Sequence, residues 1–209
     1  MASDFLVSAL VTLFVTVDPI GLVPIFLALT HGLPTKARQH IALRAAIITA
    51  VILAGAALIG DWLLKMLGIT LPAFRIAGGL LLFAVAAEMV LGVRTERQSK
   101  QAEQALEEHV RNLAAFPLAI PLMAGPGAIT ATVLLAGQAQ GQILMLAMLI
   151  AIVIVVVAVC FGVFIFASRI AGLIGTTGNV VLSRLLGVLL AALAVQFIID
   201  GVRIVLAGA

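Results

Sequence analysis

The sequence predicts an all-α polytopic membrane protein of six transmembrane helices, built as a 3+3 inverted repeat with the first and fourth helices broken by Pro and Gly. Three observations lead there. The composition is 64% hydrophobic and 10% charged with a mean hydropathy of +1.30, which describes a chain whose solvent is lipid. The apolar residues fall into six runs, at about 5–29, 41–64, 72–93, 115–136, 142–167 and 180–207. Pro and Gly interrupt the first and fourth runs at corresponding places. At 209 residues there is room for about six spans of roughly 20 residues and none for a separate soluble domain. The chain is therefore one integral membrane domain, 1–209, with repeat one at about 1–95, a cytoplasmic linker at about 94–111 and repeat two at about 110–209.

All six runs read as helices, because lipid admits only helices or closed barrels and strand alternation is absent. The first run carries Val17-Asp18-Pro19-Ile20-Gly21-Leu22-Val23-Pro24 at its middle. Two prolines cannot donate to the helix ladder, and an acid inside a span costs about 2.5–3.5 kcal/mol on the insertion scale. Such a break must be buried in protein or line a wet cavity. The first connection, Thr30 to His40, has Gly32 and Pro34 as breakers; the second, near Lys65 to Pro72, is a weakly charged turn with Trp62 as an interface anchor. The third, Arg94 to Arg111, is the one strongly polar segment. It reads as a solvated helix, with Thr95 and Gln98 spaced as a capping box and Glu96 four residues before Lys100. The fourth, Gly137 to Gln142, is uncharged. The fifth, Ser168 to Ser183, is rich in Gly and Thr, and Arg184 opens the last span.

Orientation follows from the cations. Lys36, Arg38, Arg44, Arg94, Arg97, Lys100, Arg111, Arg169 and Arg184 lie on one face and Lys65, Arg75 and Arg203 on the other, nine against three. The first face is expected to be cytoplasmic and both termini periplasmic. This positional basicity also accounts for the pI near 9.8, so no nucleic acid is expected as a partner. The N-terminus lacks a basic region and a cleavage site, so the first span is expected to be retained. Cys160 has no partner for a disulfide and reads as packing.

The two halves echo one another. Arg75-Ile76-Ala77-Gly78, followed by Gly92, parallels Arg184-Leu185-Leu186-Gly187, followed by Gly201. Pro19 corresponds to Pro126, since 56 positions separate Pro19 from Arg75 and 58 separate Pro126 from Arg184. With three spans per half, the second half must lie upside down relative to the first.

Asp18-Pro19-Ile20-Gly21-Leu22-Val23-Pro24-Ile25-Phe26, together with Pro117-Leu118-Ala119-Ile120-Pro121-Leu122-Met123-Ala124-Gly125-Pro126-Gly127-Ala128-Ile129, resembles the MarC family of bacterial inner-membrane proteins. The likeness covers essentially the whole chain. It implies a multi-pass protein of the bacterial inner membrane, placed in the LysE-type transporter superfamily, and a function shared with members assigned as small neutral amino acid transporters.

The breaks themselves supply the chemistry. Half-helix ends expose N–H groups suited to a carboxylate and C=O groups suited to a cation. Asp18, Pro19, Gly21, Pro24, Gly125, Pro126, Gly127 and Thr130 are therefore the candidate substrate-binding residues. Asp18 has three readings: it coordinates an ammonium, carries a coupling proton, or caps freed N–H groups. Glu88 and Gln196 are candidate coupling or polar partners, Glu88 having an interfacial reading as well. Thr12 and Thr16 precede the first break, Thr130 and Thr132 follow the second, and any of them can bond its own helix carbonyl. Asp200 and Arg203 read as an interfacial pair. Asp18, Pro19 to Gly21 and Gly125 to Gly127 are expected to line one midplane cavity. Paired Pro/Gly kinks that only let helices pack closely are the bland alternative, which would leave a non-transporting scaffold or regulatory protein; a channel is the third reading. His31, His40 and His109 fall in loops without metal spacing, so neither metal site nor enzyme is expected. No cofactor is expected, coupling to H+ or Na+ and the oligomeric state are left open, and the partners are the lipid bilayer and a small solute.

Overall fold

A computed structural model describes residues 2–107, 113–139 and 142–207; His109, Arg111 and the Thr95 side chain of the expected capping box lie outside the described part. The described chain is helical throughout. The first apolar run forms α1 (Ala2–Val17) and α2 (Val23–Leu29), separated by a turn at Asp18–Leu22. A long α3 (Thr35–Met66) follows, started by the extended Pro34. Then comes α4 (Leu71–Leu91), capped by the Thr70 hydroxyl, which accepts from Ala73 N at 3.3 Å. Gly92, left-handed at φ 80°, ends α4 and lets the chain turn at once into α5 (Val93–Glu107).

The fourth apolar run is an irregular helical segment, Ala114–Met123, joined at Gly125 to α6 (Pro126–Gln138) with a bend of 59°. The irregularity has a local cause. Phe116 and Ile120 each precede a proline, whose ring drives them out of helical geometry into extended backbone (ψ 130° and 125°), and both peptide bonds to Pro117 and Pro121 are cis. α7 (Ile143–Ile165) and α8 (Ala167–Ala207) complete the chain. α8 is interrupted at Gly175 (φ 65°), and its long apolar part begins at Thr177. Arg184 thus sits inside this helix rather than opening it.

By length and composition α3, α4, α7 and Thr177–Ala207 can each cross a membrane, and the bent pair 114–123 and 126–138 makes a fifth span. α1 is apolar from Phe5 but shorter. The protein is therefore an all-α, multi-pass membrane protein, with four to five such spans among the described residues.

Packing follows small residues. α4 lies along α8 in antiparallel register. A Cβ at Gly79 would meet Ala194 O at 2.8 Å, one at Gly187 Ala86 O at 3.1 Å, and one at Gly201 Pro72 O at 2.9 Å. In lipid, where apolar surface alone does not draw helices together, such close backbone approach supplies the dispersion contact that does. α3 packs on α7, α6 and the irregular segment, and α1 on α7 and α6. The lipid side of this core is greasy, with Val51, Trp62, Leu80 and Leu185 exposed. α5 corrects an expectation. It is docked rather than fully solvated: Arg94, Gln98 and Ala102, one helix turn apart in succession, are buried, and α5 packs on α2, α4 and the irregular segment.

Candidate functional site

The first break is closed on itself. Pro19 has no N–H to give, so the α1 ladder stops with Asp18 N donating to Phe14 O. Asp18 adopts the left-handed conformation (φ 55°), which short polar side chains tolerate best. Its carboxylate turns back to accept from Gly21 N at 3.0 Å, a use of the side chain as a local cap. Gly21 is obligatory beside it: a Cβ there would lie 2.6 Å from Asp18 Cγ. Asp18 is only 3% exposed. Thr16 O, which an unbroken helix would offer to residue 20, accepts instead from Arg94 Nη2 at 2.8 Å. A guanidinium from α5 therefore caps the negative end of α1.

Arg94 is a site residue that sequence reasoning missed, having counted it among the orienting cations. It is 6% exposed, with Nη1 set on Met89 Sδ at 3.1 Å. Burial draws its guanidinium below its ordinary value, Asp18 opposes that shift, Arg97 adds to it and Glu88 opposes it. Arginine remains a cation throughout.

The second break is open. Gly125 is the N-cap of α6 with no side-chain cap, and Pro126 occupies the first helical position. The N–H groups of Gly127 and Ala128 are among those a helix start leaves without an internal partner. A Cβ on Gly125 would lie 2.6 Å from Pro121 O, so only glycine lets the chain pass there. Beside this turn is a cavity of about 150 Å³. It is bounded by the Gly125–Ala128 turn and Pro121, by Arg94, Arg97 and Gln98 of α5, and by Thr16 at the end of α1.

The expected candidates are thus divided. Gly125, Pro126 and Gly127 line this cavity; Asp18, Pro19 and Gly21 do not, and Thr16 and Arg94 carry the connection between the breaks. Pro24 and Ile20 line a separate, apolar cavity of about 220 Å³ against Ile174, Gly175 and Asn179 of α8. Thr130 is buried one turn into α6, near Gly78 of α4. Thr132 Oγ1 donates to Ala128 O at 2.7 Å and Thr16 Oγ1 to Thr12 O at 2.8 Å. The Thr12 hydroxyl is buried without a partner. Glu88 Oε1 accepts from Arg97 Nη1 at 2.9 Å. Gln196 is exposed and donates to Asp200 Oδ1 at 2.8 Å, away from both breaks; Asp200 thus has a partner on its own helix one turn earlier, where Arg203 had been expected.

With the two breaks located, the comparisons with known proteins bear on the whole chain. Residues 3–206 match the family described as MarC family integral membrane protein. The chain belongs to the MarC family. Its relatives include a UPF0056 membrane protein of Archaeoglobus fulgidus, 37% identical over 95% of this chain and 92% of its own length. One from Methanocaldococcus jannaschii is 35% identical over 97% and 98%, and YhcE of Escherichia coli is 35% identical over 91% and 88%. No solved structure matches. Family membership thus covers both broken helices and the α5 linker between them, and assigns a multi-pass membrane protein.

Proposed function

We propose that this MarC-family protein transports small neutral amino acids, or closely related small solutes, by alternating access at a site between its two broken helices. The observation that carries this reading is the cavity of about 150 Å³ where the start of α6, the end of α1 and the polar face of α5 meet. A cavity of that size holds a ligand of roughly six non-hydrogen atoms, as a benzene-sized apolar cavity does. Glycine, alanine and serine are of this order; a drug-sized molecule is not. The walls suit the carboxylate end of a zwitterion: the N-terminal turn of α6 and the Arg94 guanidinium border the cavity, with the amides of Gln98 and Gln101 beside them.

Alternating access of this kind fits a 3+3 inverted repeat, and the packing supports one. Exchanging α1 with α6, α3 with α7 and α4 with α8 turns the α1–α7 contact into α6–α3 and the α1–α8 contact into α6–α4. All four are present, and the self-paired α3–α7 and α4–α8 contacts lie between them. In the same reading the chain crosses six times with both termini outside, the first crossing made by α1 and α2 together, and the α5 face is cytoplasmic. A reporter near Gln101 should read cytoplasmic and one at Ala209 periplasmic.

The direct test is counterflow. Purified protein in liposomes preloaded with glycine, L-alanine or L-serine should accumulate the labelled solute with saturation. Well-inserted protein that shows no saturable counterflow of any of the three sinks the proposal.

A further inference from the structure

We infer that Arg94 reads the carboxylate of the transported solute, with the N-terminus of α6 as the second arm of the same site. The inference rests on the transport reading and adds to it the residue that sets the solute class.

Three observations carry it. The first is the state of the guanidinium. It offers five donors, yet apart from Thr16 O its partner is the Met89 thioether, a weak acceptor. Buried charge of this kind is stable when paired and hydrogen-bonded, and among the described residues no carboxylate lies at hydrogen-bonding distance from Arg94; Asp18 acts on it through space while spending its own oxygen on Gly21 N. The second is the content of the cavity. Arg94 borders it with Arg97, Gln98 and Gln101, and among the described residues no acidic one lines it. Arg97 is already engaged by Glu88, so Arg94 is the cation with donors to spare. The third is direction. The positive end of α6, a helix of 13 residues, opens into the same space. A carboxylate between the two would receive a fork from arginine and N–H groups from the backbone, the geometry in which arginine exceeds lysine.

The competing account makes Arg94 a structural cap, holding the end of α1 and offsetting Asp18. The two roles use different edges of the group. Nη2 stays on Thr16 O while the remaining donors meet the solute, so a bound carboxylate at the second break is linked through one side chain to the first.

The experiment separates these accounts by specificity rather than by rate. Labelled L-alanine counterflow is competed with unlabelled L-alanine and with L-alaninamide, which differs in lacking the carboxylate. The parent protein should prefer alanine over the amide by on the order of 100-fold, since a site built for a buried polar group rejects the analogue without it. In Arg94→Gln that preference should fall at least tenfold, whereas loss of a structural cap alone would weaken both competitors alike and leave the ratio unchanged. Should Arg94→Gln fail to insert, Arg94→Lys keeps the charge and loses the fork; its half-saturation concentration for alanine should rise about tenfold, with the preference for alanine reduced. A parent that accepts the amide as well as alanine, or variants that keep the parental preference, overturn the role of Arg94 while transport stands. Where glycine or L-serine rather than L-alanine is carried, the same competition uses that solute and its amide; a parent with no saturable counterflow of any of the three overturns both.

Discussion

The two breaks are built from the same residue types and do opposite things. At Asp18–Leu22 the chain supplies its own partners for three groups of the break: Gly21 N–H goes to the Asp18 carboxylate, Leu22 N–H to Asp18 O and Thr16 O to Arg94. At Gly125–Ala128 the helix start has no side-chain cap and faces a cavity. An intramembrane acid next to Pro and Gly marks a costly place, but cost is met either by a ligand or by the protein itself. Here the acid meets it internally, and the break without an acid is the one left open. The charged break is a scaffold in this conformation, and the uncharged one is the receptor we propose.

The largest expected effect tests the scaffold half of that contrast. Asp18→Ala removes the acceptor for Gly21 N–H, places a residue with no polar side chain at φ 55° and leaves Arg94 without its counter-charge. Leaving the buried Gly21 N–H without its acceptor costs about 1–3 kcal/mol, and holding alanine in the left-handed region adds about 1–2 kcal/mol. The variant should show a sharply lower yield of monodisperse protein and a lower melting temperature in detergent. Asp18→Asn should cost clearly less, because its amide oxygen still accepts from Gly21 and asparagine tolerates the left-handed conformation. If Asp18→Asn is as stable as the parent and has lost only transport, the carboxylate acts in coupling as well, and the contrast between the breaks is weaker than drawn here.

A smaller pair of effects compares the glycines. Gly21→Ala drives a methyl into the Asp18 carboxylate and should cost about 1–3 kcal/mol, the range of overpacking a filled site. Gly127→Ala meets only Val85 Cγ2, at 3.3 Å, on a half-buried side chain that can yield. Its melting temperature should stay near that of the parent while the half-saturation concentration for alanine rises a few-fold, as the methyl takes cavity space. Equal stability losses at the two positions would erase the distinction between scaffold and receptor.

Much of this was legible in the sequence, and the parts that were not share a cause. Pro and Gly at defined positions mark where a helix must stop, so both breaks and the ends of α3 and α4 could be read from local chemistry. What local chemistry does not carry is which distant group satisfies the freed backbone. Arg94 follows Gly92 at the end of an apolar run, where a cation ordinarily orients the chain, and its bond to Thr16 spans 78 positions. The one available signal was the spacing Arg94, Gln98, Ala102, a repeated four-residue step that places three residues on one helix face. In the fifth connection, Gly and Thr residues read as loop. Only Gly175 takes a non-helical conformation there, and the surrounding residues continue as helix into the last span.

The smallest expected effect concerns Glu88, the other acid among the candidate site residues. Its Oε1 pairs with Arg97 Nη1 at 2.9 Å, with the side chains 29% and 51% exposed, while its Oε2 is shielded and unpartnered. Partly solvated pairs of this kind contribute about 0–1 kcal/mol, because water and salt compete for both ends. Glu88→Gln keeps a carbonyl oxygen for Arg97, so the melting temperature should shift by no more than that contribution allows. The more telling measurement is alanine specificity. Without the counter-charge of Glu88 the positive charge of Arg97 beside the cavity is uncompensated, so Glu88→Gln should leave the preference for alanine over alaninamide intact or slightly raised. A strong, equal loss of affinity for alanine and alaninamide would mean that Glu88 holds the ammonium both share, and that the proposed receptor half of the molecule extends along α4 beyond the second break.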